Sequence, residues 1–321
     1  MQVLITGGGG FLGQRLAIEL LKPGRLVGGN IVKITLFDKV FPINKLEDPR
    51  LEYIVGDLGD AAIIKKAIGE RPDVIFHLAA IVSGEAEKKF ELGMRINFHA
   101  SLELLEFCRS LSYCPRIIFA SSCAVFGGEV SKVIVDETAS RPRSSYGTQK
   151  AMTDLLLNDY SRRGYVDARS LRLPTIAIRP GKPNAATSSF VSSIVREPLN
   201  GEKATYPVPV ETQVWIQSPK KVVHNFIHAA NVDKKELGDD RIINLPGLTT
   251  TIQDIIQGIQ SIRPKAIELI SFEANQFLQS IVLTWPPKFN AERAKKLGFV
   301  FDSSAKEIIQ SYIEEEGIVN Q

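Results

Sequence analysis

Cysteine is scarce in this sequence. The 321 residues include three, Cys108, Cys114 and Cys123, an odd number without a paired metal-ligand spacing. That argues against a disulfide framework and against a cysteine-held metal, and it makes reduced thiols in a reducing compartment the expectation. Net charge is also small: 39 basic residues face 36 acidic ones, a formal +3, with no clustered basic stripe. Neither nucleic acid nor an anionic membrane surface is the expected partner, although small anionic substrates are compatible with the balance. No apolar run reaches transmembrane length and no cationic leader with a long apolar core is visible, so the cytoplasm is the expected location. Internal repeats and low-complexity tracts are missing too. The 44% hydrophobic and 23% charged residues are an ordinary globular composition, in a chain long enough for one large or two modest domains.

What is present is a rhythm. In the first half, short β-rich runs alternate with helical patterns: "QVLIT", a helix from about Phe11 to Leu21, "IVKITLFD", "LEYIVGD", "DVIFHLAA", a helix over "RINFHASLELLEFCRS", "PRIIFASS", a second long helix, and "ARSLRLPTIAI". Strand, helix, strand at this repeat predicts right-handed crossovers and an α/β, doubly wound parallel sheet covered on both faces. After Ile178 the pattern breaks into Pro- and Gly-rich sequence, which predicts a smaller, discontinuous C-terminal lobe. The expected division is 1–178 for the main domain with 214–246 returning to it, and 179–213 with 247–321 for the lobe.

Three local features carry chemistry. "LITGGGGFLGQRL" lies where the first strand hands over to a helix, and two overlapping glycine patterns fit it, Gly7, Gly10 and Gly13 or Gly8, Gly10 and Gly13. Either allows a tight turn and close approach of a pyrophosphate, with the amides of Phe11 and Leu12 at the helix start facing it. Asp38 ends the second strand, where a carboxylate can accept from both hydroxyls of an adenosine ribose and repel a 2′-phosphate; this favours NAD over NADP, with Lys39 beside it as the complicating charge. In "SSYGTQKAM", Tyr146 and Lys150 lie one helical turn apart. Two readings stand for that pair: a surface tyrosine packed on a lysine stem, or a general base whose pKa a neighbouring cation lowers.

Taken in order, the glycines, Asp38, "GDL", "HLAA", "ASSCAVFG" and Tyr146-x-x-x-Lys150 resemble the extended short-chain dehydrogenase/reductase family, the NAD-dependent epimerases and dehydratases, over almost the whole chain. The resemblance implies a Rossmann-type NAD-binding domain, with Gly7, Gly10 and Gly13 at the pyrophosphate and Asp38 at the ribose. It places Asp57 and Leu58 at the adenine, Leu78 and Ala79 along the cofactor, and Asn97 on a cofactor-side helix. Ser122, Tyr146 and Lys150 become the catalytic set: Tyr146 moves the hydroxyl proton, Lys150 stabilises its phenolate and bonds the nicotinamide ribose, and Ser122 orients the substrate oxygen. Strand alternation is expected to turn Ser121 and Cys123 away from Ser122.

The C-terminal half departs from the sugar-nucleotide members. "RPGKPNAATSSF" offers Arg179, Lys182, Asn184 and a Ser/Thr-rich run in place of an aromatic and basic pair for a nucleoside diphosphate. With "HLAAIVSGEAE", "SSYGTQKA", "SIVREPLNGE" and "VWIQSPKKVVHNFIHA", the chain is similar to family members that oxidise a four-carbon sugar acid at its 2-hydroxyl. That implies a 2-oxo acid product, Arg179 or Lys182 for the carboxylate, and Ser83 with Ser188 and Ser189 for the polyol. The rivals are a nucleotide-sugar epimerase or dehydratase and a non-catalytic NAD-sensing regulator. No metal is expected: His224 and His228 share a helical face without a third ligand, and His77, Trp215 and Trp285 read as packing. A homodimer through the two long helices that carry Asn97 and Tyr146 is what the family implies.

Overall fold

The computed structural model describes residues 1–128, 133–181 and 186–318. Its strands are β1 (Gln2–Thr6), β2 (Lys33–Asp38), β3 (Leu51–Val55), β4 (Val74–His77), β5 (Arg116–Ser122), β6 (Asp167–Leu173), β7 (Thr175–Ile176), β8 (Gln213–Gln217), β9 (Ile242–Asn244) and β10 (Leu248–Thr251). The helices used below are α1 (Phe11–Leu21), α2 (Ala61–Gly69), α3 (Ala100–Ser110), α4 (Ser145–Arg162), α5 (Ser189–Leu199), α6 (Pro219–Asn231), α7 (Ile252–Ile262) and α8 (Ala305–Glu316).

Seven strands form the central sheet in the order β3-β2-β1-β4-β5-β6-β9, and every adjacent pair is parallel. Successive side chains in a strand point to opposite faces, and here each face has its own core. Val3 and Ile5 of β1 and Ile118 of β5 pack with Leu16 and Leu20 of α1 and Val222, Phe226 and Ala229 of α6. Leu4, Ile117 and Phe119, the residues between, pack with Ile64 of α2, Leu104 and Leu105 of α3 and Leu157 of α4. The chain leaves β1 for one face and β4 for the other, so a crevice opens at the carboxyl ends of these neighbours, where open α/β sheets bind ligands. At the opposite end of the sheet Arg169 is fully buried, and it donates to the carbonyls of Ala229 (3.0 Å) and Val232 (2.8 Å). Arg116 donates to Ala230 (2.5 Å). Both cations pair with Asp167, so the last carbonyls of α6 are satisfied and its dipole is complemented.

A three-stranded sheet in the order β7-β8-β10 accompanies a separate core of Ala177, Ile178, Val214 and Ile216 with residues of α5, α7 and α8. Two boundaries differ from the expected ones. The run "ARSLRLPTIAI" is two strands, because Pro174 has no N–H to give the ladder, and β7 pairs with β8 in the small sheet. Residues 214–217 therefore stay with that sheet, whereas α6 and β9 join the main one. In the other direction, Ala291, Ala294 and Phe299 pack in the main core. The segment after them is pinned there: Asn225 and Val300 exchange side-chain and backbone hydrogen bonds (2.8 and 3.0 Å), and buried Asp302 accepts from the backbone and hydroxyl of Ser218 at the head of α6 (2.8 and 2.7 Å).

The ring of Phe226 is wholly buried between α6 and the sheet. Phe226→Ala removes the ring and leaves a cavity that packed neighbours only partly refill, so it should cost about 3–5 kcal/mol. Denaturant unfolding of parent and variant measures this.

Candidate active site

The turn after β1 is shaped by its glycines. Gly7 has φ +75°, and a Cβ there would lie 2.8 Å from the Ala79 nitrogen; one on Gly13 would lie 2.3 Å from the Gly7 carbonyl oxygen. Gly8 and Gly9 are equally confined, by Leu36 (2.9 Å) and the Val40 carbonyl (2.1 Å). Gly10 is different: a Cβ there would meet nothing but the Gly7 carbonyl, at 3.3 Å. Gly7, Gly8, Gly9 and Gly13 thus let the strands and α1 close together, while Gly10 leaves a bare backbone surface. Gly10 is also the N-cap of α1 and provides no side-chain cap, so the amides at the helix start are left for an anion. Asp38 stands across the turn, accepting from the amides of Gly9 (2.9 Å) and Lys39 (2.7 Å). A glycine cradle, an uncapped helix start and a carboxylate at the end of β2 fit a dinucleotide whose ribose carries free hydroxyls.

Beyond the cradle, Leu78 and Ala79 continue from β4. Their amides donate to the Thr6 backbone oxygen (3.1 Å) and Thr6 hydroxyl (3.3 Å). The Thr6 hydroxyl donates in turn to Nδ1 of His77 (2.7 Å), and Nε2–H of His77 donates to Ser101 (2.9 Å), whose hydroxyl donates to the Asn97 carbonyl (3.0 Å). The histidine is therefore a neutral bridge, not simple packing, and burial pushes its pKa down to about 3, with Lys150 adding to the effect. Asn97 sits in a π-helical turn, Met94–His99, ahead of α3. Its amide clasps Ile81 (2.8 and 3.1 Å) and donates to Gln149 (2.7 Å). Asp57 is partly buried and paired with Arg95, and Leu58 is buried.

Ser122, Tyr146 and Lys150 converge. Ser122 ends β5, accepts from the Ala124 amide (3.1 Å), and lies near enough to Tyr146 to favour its phenolate slightly. Ser144 caps α4 through the Gly147 amide (3.1 Å), which sets Tyr146 in the first turn. Lys150, 1% exposed, donates to the Ala120 carbonyl (2.7 Å) and lies 5.6 Å from the centre of the Tyr146 ring. Burial lowers its pKa to about 7, against the opposing pull of Asp154. Burial also pushes the Tyr146 phenol up to about 12, and the cation that opposes this most is Arg179. The family resemblance assigns that task to Lys150; in the structure the ammonium is directed at a backbone carbonyl.

Arg179 follows β7 and is itself largely desolvated, which lowers its pKa. Its backbone is tied to α5, donating to Ser192 (3.1 Å) and accepting from Arg196 (2.7 Å). Cys123 is a correction: β5 ends at Ser122 and a 3-10 turn begins at Cys123, so strand alternation stops one residue too early to turn it away. Burial raises the pKa of its thiol to about 11, with the neighbouring Ser122 and Arg179 opposing. Ser121 remains buried. Ser83 opens a short helix packed on α4, and Ser188 and Ser189 start α5 without a side-chain cap. Lys182 and Asn184 lie outside the described residues. Nε2 of His228 lies 2.7 Å from the Leu297 carbonyl, to which it donates, and its ring packs on Phe299, while Trp215 stacks on Phe289 at 3.7 Å.

The sequence pattern of the NAD dependent epimerase/dehydratase family matches residues 3–232. The chain belongs to that family. It is 48% identical to a D-erythronate dehydrogenase of Cupriavidus necator, over 99% of each chain. It is 47% identical to a D-erythronate dehydrogenase of Haemophilus influenzae, over 98% of this chain and 99% of that one. Among solved structures it superposes on a nucleoside-diphosphate-sugar epimerase from Agrobacterium tumefaciens with a TM-score of 0.95 and 43% identity, covering 99% of this chain and 95% of the other.

Three residues of this network, Gln149, Thr6 and Ser101, escape the sequence reading. Gln149 lies inside the Tyr146 motif, and its spacing of three from Tyr146 marks it for a buried face; its pairing with Asn97, 52 residues away, has no such marker.

His77 gives a pH test. Its folded pKa of about 3 lies below the ordinary 6.5, so between these values the unfolded chain binds a proton that the folded chain refuses. Stability should fall as pH drops through this window, by about 1.4 kcal/mol per unit for this residue. His77→Gln should flatten the slope, read by denaturant unfolding at several pH values; an unchanged slope would assign the titration to another group.

Proposed function

We propose that the protein oxidises a small sugar acid, D-erythronate, at its 2-hydroxyl to the 2-oxo acid, with NAD as the oxidant, in the cytoplasm. The observation that carries the reading is the convergence of Ser122, Tyr146, Lys150 and Arg179 at one place, taken with two D-erythronate dehydrogenases that match nearly end to end. Bound NAD supplies the hydride acceptor. The chain's residues supply the rest. Gly7, Gly10, Gly13, Phe11 and Leu12 hold the pyrophosphate, Asp38 the adenosine ribose, Asp57 and Leu58 the adenine, and Leu78, Ala79 and Asn97 the remainder of the cofactor. Ser122 orients the substrate hydroxyl. Tyr146 takes its proton as general base, and Lys150 bonds the nicotinamide ribose. Ser83 reaches the polyol, and Arg179 with Lys182 reads the carboxylate.

The 179–213 segment and the β10 and α7 region form the lobe that closes over this substrate. A homodimer through the helices bearing Asn97 and Tyr146 is supported by apolar side chains left exposed there, Phe90 and Leu155. Among the described residues no helix is long and apolar enough to cross a membrane.

A second reading has its own support: the Agrobacterium structure named a nucleoside-diphosphate-sugar epimerase is 43% identical. The two differ in what becomes of the hydride. An epimerase returns it and accumulates no NADH, whereas the dehydrogenase accumulates NADH in step with turnover, so absorbance of reduced nicotinamide with D-erythronate and with nucleoside-diphosphate sugars decides between them.

Tyr146→Phe keeps the ring and removes the proton acceptor. Turnover should fall by about 10²–10⁴-fold while calorimetry still finds NAD bound. Retained activity within a factor of about ten would take Tyr146 out of the base role.

A four-carbon polyol has little apolar surface to bury, so its carboxylate must provide most of the orienting energy. Arg179→Ala should raise KM for D-erythronate by roughly ten- to a hundredfold with little change in NAD affinity. Erythronamide, the uncharged amide, should penalise the parent enzyme far more than the variant. Equal penalties would show that Arg179 does not read the carboxylate.

A further inference from the structure

One cation stands directly beside the carboxylate that is to receive the ribose, and a second is joined to it through Asp57. Lys39 follows Asp38 directly and donates its amide to it. The loop carrying Asp57 is attached to the same strand end, since the Gly56 amide donates to the Asp38 carbonyl (3.0 Å). Asp57 holds both cations: its Oδ2 is 3.6 Å from Nζ of Lys39 and 3.1 Å from Nη2 of Arg95, and its Oδ1 is 3.3 Å from Nη1 of Arg95. The carboxylate is fixed for this by the Gly59 amide, which donates to Oδ1 at 2.8 Å. A Cβ on Gly59 would fall 2.0 Å from Nη1 of Arg95, so glycine lets the guanidinium lie across the loop. Arg95 holds the Asp57 carboxyl below its ordinary range, with Lys39 contributing.

A lysine and an arginine at this end of a dinucleotide site are the groups a 2′-phosphate would recruit. With Asp57 in place the two cations are matched in number by Asp57, which pairs with both, and the nearby Asp38; without Asp57 neither cation keeps its carboxylate partner and a net positive charge remains. We propose that Asp57 is a second determinant of the choice of NAD over NADP, acting by sequestering Lys39 and Arg95 from a 2′-phosphate. Asp38 repels the phosphate, and Asp57 withholds the cations that would otherwise compensate. The inference rests on the proposed placement of the adenosine ribose at Asp38.

Asp57→Asn tests it, because the amide keeps the shape and an oxygen for the Gly59 N–H while it releases the cations. Calorimetry with adenosine 5′-monophosphate and adenosine 2′,5′-bisphosphate isolates the 2′-phosphate without any turnover. The preference for the monophosphate should shrink by about three- to tenfold at low ionic strength, and less at about 0.15 M salt, since the cations are exposed and the screening length there is about 8 Å. Adding Lys39→Ala and Arg95→Ala to Asp57→Asn should restore the parent preference. An unchanged ratio, including one in which both probes weaken equally because Asp57 serves only the adenine, overturns the proposal. So does a gain that survives loss of both cations. Asp38→Ala examines the underlying placement separately: if it leaves the monophosphate affinity unaltered, the ribose is elsewhere and the proposal falls with that reading.

Discussion

The close approach of Gly7 to Ala79 is the constraint on which the site depends. β1 and β4 run side by side in register, but the chain leaves them toward opposite faces, and the crevice exists only because Gly7 can closely approach the Leu78–Ala79 backbone just beyond β4. A side chain at Gly7 would press into the Ala79 backbone. Relaxing that clash would move the Thr6 end of β1 away from β4, and with it the hydrogen bonds from Leu78 and Ala79 and the bridge through His77 to Asn97. The glycine turn, the strand end bearing Asp38 and the helix bearing Asn97 are thus set by one backbone contact.

On the other side of the crevice the governing term is desolvation. Burying a phenol favours its neutral form, and burying an ammonium does the same, so Tyr146 and Lys150 are driven away from the ionised states that the proposed proton transfer needs. The structure opposes this with fixed partners. Ala120 accepts from the ammonium, and Asp154, wholly buried and held by Arg172 (2.9 Å) and Ser170, favours its charged form. Arg179 favours the phenolate. A site pre-set this way needs little rearrangement when charge develops.

Much of this is legible in the sequence because it is local. The alternation of strands and helices predicts the parallel sheet; the glycine spacing marks the turn; the four-residue step from Tyr146 to Lys150 places them on one face. Pro174 is legible too, since a residue without an N–H cannot continue a ladder, and reading through it shifts the lobe boundary. Other features depend on pairings that no local pattern encodes. Arg179 influences Tyr146 electrostatically from beyond that proline, and Gln149 meets Asn97 across two helices. Cys123 escapes a rule that holds only inside a strand, because the strand ends one residue before it.

Arg179 cannot be counted twice. On the proposed reading its guanidinium both favours the Tyr146 phenolate and receives the substrate carboxylate, and an anion bound to it cancels part of the field that reaches the phenol. The proton must then be drawn off with support from elsewhere, and Lys150 is the other cation near the tyrosine, 5.6 Å from its ring. With a pKa of about 7 its charge is only partly present at neutrality, so the buried pair of Asp154 and Arg172 gains importance. By favouring the ammonium from one turn further along α4, Asp154 keeps a cation beside Tyr146 in the state where Arg179 is occupied. A sugar acid therefore asks more of the helix behind the tyrosine than a neutral sugar would, and this chain meets that demand with a carboxylate that is fully buried and doubly hydrogen-bonded.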